Sequence, residues 1–172
     1  AVYRLRRSLT TSAYLRAPTS FTPSPTMATN FCDVYNNEIS GHNSVSAAII
    51  SYLALNKPFK DTLYDPYCGG ITLHDNKIAR GTGTTDQTVL FGKMFAAMFG
   101  DKVPDVVYDG AVNPLYRNND GSVKEEQRIC IRNNGSISFS NMDLINKGKN
   151  KNDDLKKFDC ALPPLNEVKM NL

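Results

Sequence analysis

The sequence predicts an α+β protein, with a small compact body of two main helices and antiparallel hairpins and with extended N- and C-terminal arms. Two segments carry apolar residues at helical spacing, and one pair of segments alternates with period two around a turn. The sequence shows no repeated strand–helix–strand pattern of the kind that predicts a parallel α/β sheet. The predicted organisation is a basic N-terminal arm over residues 1–30, an α+β domain over 31–140 and an Asn/Lys-rich C-terminal arm over 141–172.

The first predicted helix covers residues 44–56. Asn43 or Ser44 is a suitable N-cap residue, and Pro58 would stop the helix. The apolar residues at helical spacing are Val45, Ala48, Ile49, Tyr52 and Leu53. The segment therefore favours an amphipathic helix that packs on the body of the protein.

The second predicted helix lies in the stretch TTDQTVLFGKMFAAMFG, residues 84–100. Thr84 and Gln87 have the spacing of a capping box, and Gly100 stands where a C-terminal cap belongs. The apolar face consists of Phe91, Met94, Phe95, Met98 and Phe99. Such a face usually belongs to a core; we also predict that Phe91, Phe95 and Phe99 dock a partner protein.

Short strands are predicted in the second half of the body. The stretch ITLHDNKIARGTG reads as a short strand, a polar turn at His74 to Lys77 and a second short strand, and DVVYDGAV reads as a third. EEQRICIR and SISFSN alternate with period two around the turn Asn133-Asn134-Gly135. That pattern predicts an antiparallel hairpin, with Ile129 and Ile131 on the same face as Ile137 and Phe139.

Residues 1–26 have the composition of a mitochondrial targeting segment. They contain four arginines, nine serines or threonines, three prolines and no acid. Arg4, Arg6 and Arg7 are the candidates for docking a partner or a lipid headgroup. A disordered basic tail and an alternative start at Met27 are the competing interpretations, and removal of the segment stays open.

The rest of the chain excludes several classes of protein. The formal charge is +3, and four arginines lie in the first 26 residues, which leaves −1 for the remainder. A nearly neutral body predicts no DNA partner and makes RNA an unfavoured one. The cysteines at 32, 68, 130 and 160 show no metal-site spacing, which favours reduced or buried thiols.

No catalytic, cofactor-binding or metal-ligating residue is predicted. The stretch DPYCG, residues 65–69, resembles part of the D-P-[FY]-C-G-x-G motif of S-adenosylmethionine-dependent nucleic-acid methyltransferases. In that family the motif joins a buried strand to a helix, which the flanking residues here do not predict. Two weaker alternatives are an anion site at the glycines of GTGTTDQ, residues 81–87, and a catalytic pair of Cys68 and His74.

These observations predict a non-catalytic accessory subunit of a large mitochondrial inner-membrane assembly, either a respiratory-chain complex or ATP synthase. Its partners would be the protein subunits of that complex, and its location the matrix or the inner-membrane surface. A mitochondrial ribosomal protein is the first alternative, and a small mitochondrial enzyme with an anionic ligand at 81–87 is the second. The sequence predicts no cofactor.

Overall fold

The computed structural model describes residues 14–16, 24–61 and 63–163, and it describes side chains from residue 28 onward. These ranges hold ten short strands and one α-helix. The strands are β1 (Tyr14–Arg16), β2 (Ser24–Met27), β3 (Asn30–Tyr35), β4 (Glu38–His42), β5 (Ala47–Ile50), β6 (Gly69–His74), β7 (Lys77–Arg80), β8 (Val106–Tyr108), β9 (Ile129–Arg132) and β10 (Phe139–Asn141). The helix is α1 (Leu90–Phe99). Five 3-10 turns lie between them, at Tyr52–Leu55, Pro114–Tyr116, Glu125–Gln127, Leu144–Asn146 and Leu155–Phe158.

The strands form three parallel sheets, and the chain adds one strand to each sheet in turn. One such circuit through the sheets is here called a coil. Sheet A has the order β1-β4-β7, sheet B has β10-β8-β5-β2, and sheet C has β3-β6-β9. Each of the first three coils contributes one strand to every sheet, so each strand pairs with its counterpart one coil away. This topology is a parallel β-helix.

The predicted α+β class with two main helices and antiparallel hairpins is therefore wrong. Among the described residues every strand ladder is parallel, and the antiparallel contacts are two isolated bridges, Arg117 with Val123 and Asn141 with Asn152. The predicted hairpin around Asn133 and Asn134 does not form. Its two strands lie in different sheets, β9 beside β6 in sheet C and β10 beside β8 in sheet B.

The helix predicted over residues 44–56 is also wrong, because Ala47–Ile50 forms strand β5. All four residues of the strand are buried, since sheet B separates two cores. Ala47 and Ile49 face the interior of the coil, whereas Ala48 and Ile50 face the outer core. A strand that is buried on both faces reads as a continuous apolar run, and periodicity cannot separate it from a buried helix.

Helix α1 covers the outer face of sheet B. Phe95 is 1% exposed and packs with Val45, Ile50, Val103 and Val107. The prediction of a helix ending at Gly100 is confirmed, but the helix begins at Leu90, six residues after the predicted cap at Thr84. No helix among the described residues combines the length and the apolar character needed to cross a bilayer.

The interior of the coil is filled by alternate residues of sheets B and C. From sheet C, Cys32, Val34, Ile71, Leu73, Ile129 and Ile131 point inward, and from sheet B so do Ala47, Ile49, Val106, Tyr108 and Phe139. One stacked layer of this core contains Val34, Leu73 and Ile131, which are register partners on three successive coils. The strands thus bury their inward side chains against the equivalent residues of the next coil.

The corner between sheets C and A is fixed by a ladder of three asparagines. Asn37, Asn76 and Asn134 follow the ends of strands β3, β6 and β9. Asn76 donates from Nδ2 to Asn134 Oδ1 over 2.9 Å and accepts from Asn37 Nδ2 over 2.9 Å. The residues just before them, Asn36, Asp75 and Asn133, have φ between +52° and +54°. Asn and Asp tolerate this left-handed region better than other side chains, so the dipeptides fit a tight corner.

Candidate ligand-binding cleft

A cleft of about 720 Å³ opens beside the last described coils. It lies between the segment that joins β8 to β9 and the segment that follows β10. Its polar and charged lining residues are Arg117, Asn118, Ser122, Glu125, Gln127, Arg128, Asn141, Asp143, Asn146, Asn150 and Lys157. This volume is within the usual range of small-molecule sites, and the lining is unusually polar for one.

The first wall of the cleft is a turn stabilised by its own side chains. Arg117 donates from Nη1 to the Gly121 carbonyl over 2.7 Å. Asn118 donates from Nδ2 to the Ser122 hydroxyl over 2.9 Å, and that hydroxyl donates to Asp120 over 2.6 Å. These bonds give the exposed turn a defined shape before any ligand arrives.

A half-buried carboxylate connects this wall to the preceding coil. Asp65 accepts hydrogen bonds from the side chains of Asn30 (3.1 Å), Asn113 (3.3 Å) and Tyr116. Burial and the Asp65 carboxylate together raise the pKa of Tyr116 to about 12, so its phenol stays protonated and keeps donating. Tyr116 directly precedes Arg117, and the cluster therefore fixes the start of the first wall.

The second wall is organised around Asp143, which is 6% exposed and has φ +47°. Its carboxylate accepts from Asn146 Nδ2 over 2.8 Å, from Asn150 N over 2.9 Å and from Asn150 Nδ2 over 3.0 Å. This carboxylate uses its acceptor capacity on Asn146 and Asn150 of its own loop. It consequently shapes the wall and offers little acceptor capacity to a ligand.

Aromatic rings close the inner end of the cleft. The Phe158 ring lies 4.7 Å from that of Phe139 and 6.1 Å from that of Tyr108, measured between centroids. Tyr108 donates its hydroxyl to the Ala111 carbonyl over 3.1 Å. Burial raises its pKa well above the ordinary tyrosine value, so this phenol is a donor and not a base.

The cleft has an excess of positive charge. Arg117, Arg128 and Lys157 line it, against the acids Glu125 and Asp143. Arg128 is half-buried, and its guanidinium has no hydrogen bond or ion pair among the described residues. A half-buried cation without a partner has lost part of its hydration, and it favours an anion that restores those contacts.

The lining provides binding groups and no reactive pair. The described residues that line the cleft include no histidine or cysteine, and the one serine among them donates to Asp120. Among the described residues no three His, Cys, Asp or Glu side chains come together as a metal site would require. The arrangement is suited to holding a polar anionic molecule.

The residues predicted to dock a partner lie elsewhere. Phe95 is enclosed by its own chain, and Phe91 and Phe99 are partly buried against the same outer core. A partner contact through Phe91 and Phe99 stays a prediction. Arg4, Arg6 and Arg7 lie outside the described residues.

At the anion site predicted over residues 81–87, backbone N–H groups already donate hydrogen bonds within the protein. Gly81 N donates to the His42 carbonyl over 2.8 Å, and Gly83 N donates to Asn43 Oδ1 over 3.1 Å. Asp86 N donates to the Ser44 hydroxyl over 3.1 Å. The segment leads into α1 and is held by these hydrogen bonds, so the three amides are not directed at an anion.

Cys68 and His74 do not come together. Cys68 directly precedes β6, whereas His74 is the last residue of that strand. Burial raises the pKa of the Cys68 thiol to about 12. His74 Nε2 instead lies 2.9 Å from Asp33 Oδ1, and Nδ1 lies 2.5 Å from Asp75 Oδ2. Its ring stacks on Tyr35 on the outer face of sheet C.

Two of the four cysteines form a disulfide, Cys130–Cys160, whereas Cys32 and Cys68 are free and buried. The expectation of reduced thiols throughout is therefore wrong for one pair. Sequence reasoning also missed the cleft, because its residues come from segments whose proximity depends on the coiling of the chain. Comparisons with protein-family models, curated proteins and solved structures gave no match.

Proposed function

We propose that this protein is a non-catalytic binding module and that its cleft holds an acidic oligosaccharide. The single observation that carries the proposal is the half-buried Arg128 guanidinium, which has no partner within the described part of the chain and lies in a polar cleft beside Arg117 and Lys157. A guanidinium binds carboxylate in a planar, bidentate manner, which makes the acid groups of a uronic acid suitable partners.

The neutral part of the lining supports a sugar as the ligand. Five side-chain amides line the cleft, from Asn118, Gln127, Asn141, Asn146 and Asn150. Each amide can both donate to and accept from a hydroxyl group, so the lining matches a chain that carries many hydroxyls. Single-stranded nucleic acid fits less well, because base stacking needs several open aromatic faces and Phe158 is already packed on Phe139.

The disulfide supports a location in an oxidising compartment. Structural disulfides persist in secreted, periplasmic and other oxidising environments and are rare where thiol reductants dominate. Cys130 and Cys160 join strand β9 to the segment that carries Lys157 and Phe158. The binding site would thus depend on a bond that an oxidising compartment preserves.

Isothermal titration of the full chain tests the proposal, with a uronic-acid hexamer and a neutral glucose hexamer as probes. We expect the acidic probe to bind and Arg128→Ala to weaken its Kd about tenfold or more, the cost of one charge-assisted contact. Lys77→Ala is the matched control, because Lys77 is exposed and does not line the cleft. Absence of binding to the acidic probe, or an equal effect of both variants, would contradict the proposal.

A second candidate is supported by the composition of residues 1–26. Their four arginines and lack of acids still favour a mitochondrial accessory subunit of a respiratory-chain complex or ATP synthase. The disulfide favours the intermembrane-space side over the reducing matrix. Native gels of detergent-solubilised mitochondria test this candidate: co-migration with an inner-membrane complex supports it, and migration as a free monomer contradicts it.

A further inference from the structure

The structure assigns a modification site to the Cys130–Cys160 disulfide: we propose that a protein dithiol reduces this bond and thereby opens the binding cleft. The effect of opening on ligand binding rests on the proposed function, whereas the opening itself can be measured without any ligand. It concerns residues 153–160, which follow the bridge between Asn141 and Asn152 and are here called the latch.

The two cysteine residues of the disulfide differ in their exposure to solvent. Cys130 is fully buried on β9, between the inward-facing residues Ile129 and Ile131, and it pairs in register with Thr72 of β6. Cys160 is half-buried at the end of the latch. A reductant therefore reaches the Cys160 sulfur first, and Cys130 is the leaving group.

The latch has few other attachments. Among the described residues, the hydrogen bonds of residues 154–159 are made within residues 152–160, as in Asp154 N to Asn152 Oδ1 and Cys160 N to the Phe158 carbonyl. Cys160 Sγ also lies 3.7 Å from the Ile129 carbonyl oxygen. The last backbone connection to the body is the bridge between Asn141 and Asn152. Beyond it, the disulfide and the packing of Leu155 and Phe158 hold the segment in place.

The latch also forms part of the cleft. Lys157 supplies one of its three cations, and Phe158 closes its inner end against Tyr108 and Phe139. Among the described residues, loss of the covalent bond leaves mainly the packing of Leu155 and Phe158 to oppose the conformational entropy that the latch gains on release. Opening would remove the Phe158 ring and the Lys157 charge from the site together.

The chemistry balances with a dithiol as the second reactant. One thiolate of the dithiol attacks the Cys160 sulfur, which forms a mixed disulfide and releases Cys130 as a thiolate that takes up a proton. The second thiolate of the dithiol then displaces Cys160, which is protonated in turn. Two electrons and two protons pass to the protein, and the dithiol leaves as a disulfide.

The remaining cysteines do not compete in this exchange. Burial, with a smaller contribution from Asp33, raises the pKa of Cys32 to about 11, and burial raises that of Cys68 to about 12. Both thiols are protonated at neutral pH and 2% exposed or less. Exchange is therefore confined to the Cys130–Cys160 pair.

Hydrogen exchange with mass spectrometry tests the opening on the full chain, with thioredoxin and its reducing system as the reductant. We expect exchange in residues 153–160 to become at least tenfold faster on reduction, while strands β6 and β9 keep their protection. The double variant Cys130→Ser/Cys160→Ser should exchange like the reduced protein and should not respond to the reductant. Unchanged exchange in the latch, or loss of protection throughout sheet C, would overturn the proposal.

Titration with the uronic-acid hexamer separates this inference from the proposed function. A Kd at least fivefold weaker after reduction, restored on reoxidation, supports the latch as a control of the site. Equal Kd values in both states would overturn that control while leaving the binding function intact. Faster exchange of the latch, combined with no hexamer binding in either state, would contradict the proposed function and retain the redox opening.

Discussion

Asn76 donates a hydrogen bond from Nδ2 to Oδ1 of Asn134 over 2.9 Å, although 58 residues separate the two positions. The two hydrogens of the same nitrogen are shared among that oxygen and the carbonyls of Val34 and His74, and the side-chain oxygen of Asn76 accepts from Asn37. One side chain thus connects three coils at the corner between sheets C and A. Since Asn76 is 3% exposed, water cannot replace these partners.

Asn76→Ala is expected to lower the free energy of unfolding by about 3 kcal/mol, because several buried donors and acceptors lose their partner together. Urea denaturation measures the change. The control is Asn119→Ala, at an exposed position with no side-chain hydrogen bond among the described residues, and it should shift stability by less than about 0.5 kcal/mol. Similar values for the two variants would show that the ladder does not stabilise the coil.

The Asp65–Tyr116 contact gives a spectroscopic prediction about the first wall of the cleft. The pKa of Tyr116 is raised to about 12 by burial and by the neighbouring carboxylate. Asp65→Asn removes that carboxylate's charge, so the tyrosine pKa should fall while burial keeps it above about 10. The near-ultraviolet absorbance of each protein, minus that of its Tyr116→Phe counterpart, follows this residue. An unchanged tyrosine pKa in Asp65→Asn would contradict the contact.

Asp109 predicts a pH dependence of stability. It is 1% exposed, and burial raises its pKa, although its carboxylate accepts from Ser51 N and Ala111 N. The folded-state pKa lies above the unfolded value of about 3.9. Its contribution to stability is therefore complete below the unfolded pKa and is lost as pH rises through the folded pKa.

The comparison of wild type with Asp109→Asn isolates this contribution. The variant loses one acceptor and is expected to be less stable at every pH. The decrease in unfolding free energy with rising pH should be smaller in the variant, because the amide does not titrate. Equal pH slopes in thermal or urea unfolding would indicate that Asp109 titrates alike in both states.

The sequence pattern located several strands correctly but assigned wrong partners to them. Alternation around β6, β9 and β10 was readable because one face of each strand packs into the coil. Alternation with period two identifies a strand but does not identify the strand with which it pairs. The turn Asn133-Asn134-Gly135 suggested pairing with the next strand along the chain. In the structure Leu73 pairs with Ile131, one coil away along the chain.

A signal for the coil was present in the sequence. The fragments VYNNEI, LHDNKI and IRNNGS each place an Asn after an Asn or Asp at the end of an alternating segment. The second residue of each pair is the ladder asparagine, at positions 37, 76 and 134. Their unequal spacing hides the repeat, because the insertions at 51–68, 81–105 and 109–128 differ in length.

The cleft was beyond sequence reasoning for a physical reason. Arg117 and Lys157 are 40 residues apart on irregular segments, and no periodicity connects them. Only the stacking of successive coils brings these segments to the same end. The disulfide between Cys130 and Cys160 escaped notice because an isolated spacing of 30 residues matches no known framework.

The parallel coil is the basis of the cleft, the ladder and the latch, and nuclear Overhauser contacts in the isotope-labelled full chain test it most directly. The structure predicts backbone contacts of Leu73 with both Val34 and Ile131, its register partners on the adjacent coils. An antiparallel hairpin would instead give cross-strand contacts between Ile131 and Ile137 and none between Ile131 and Leu73. The first pattern supports the account, and the second would contradict it.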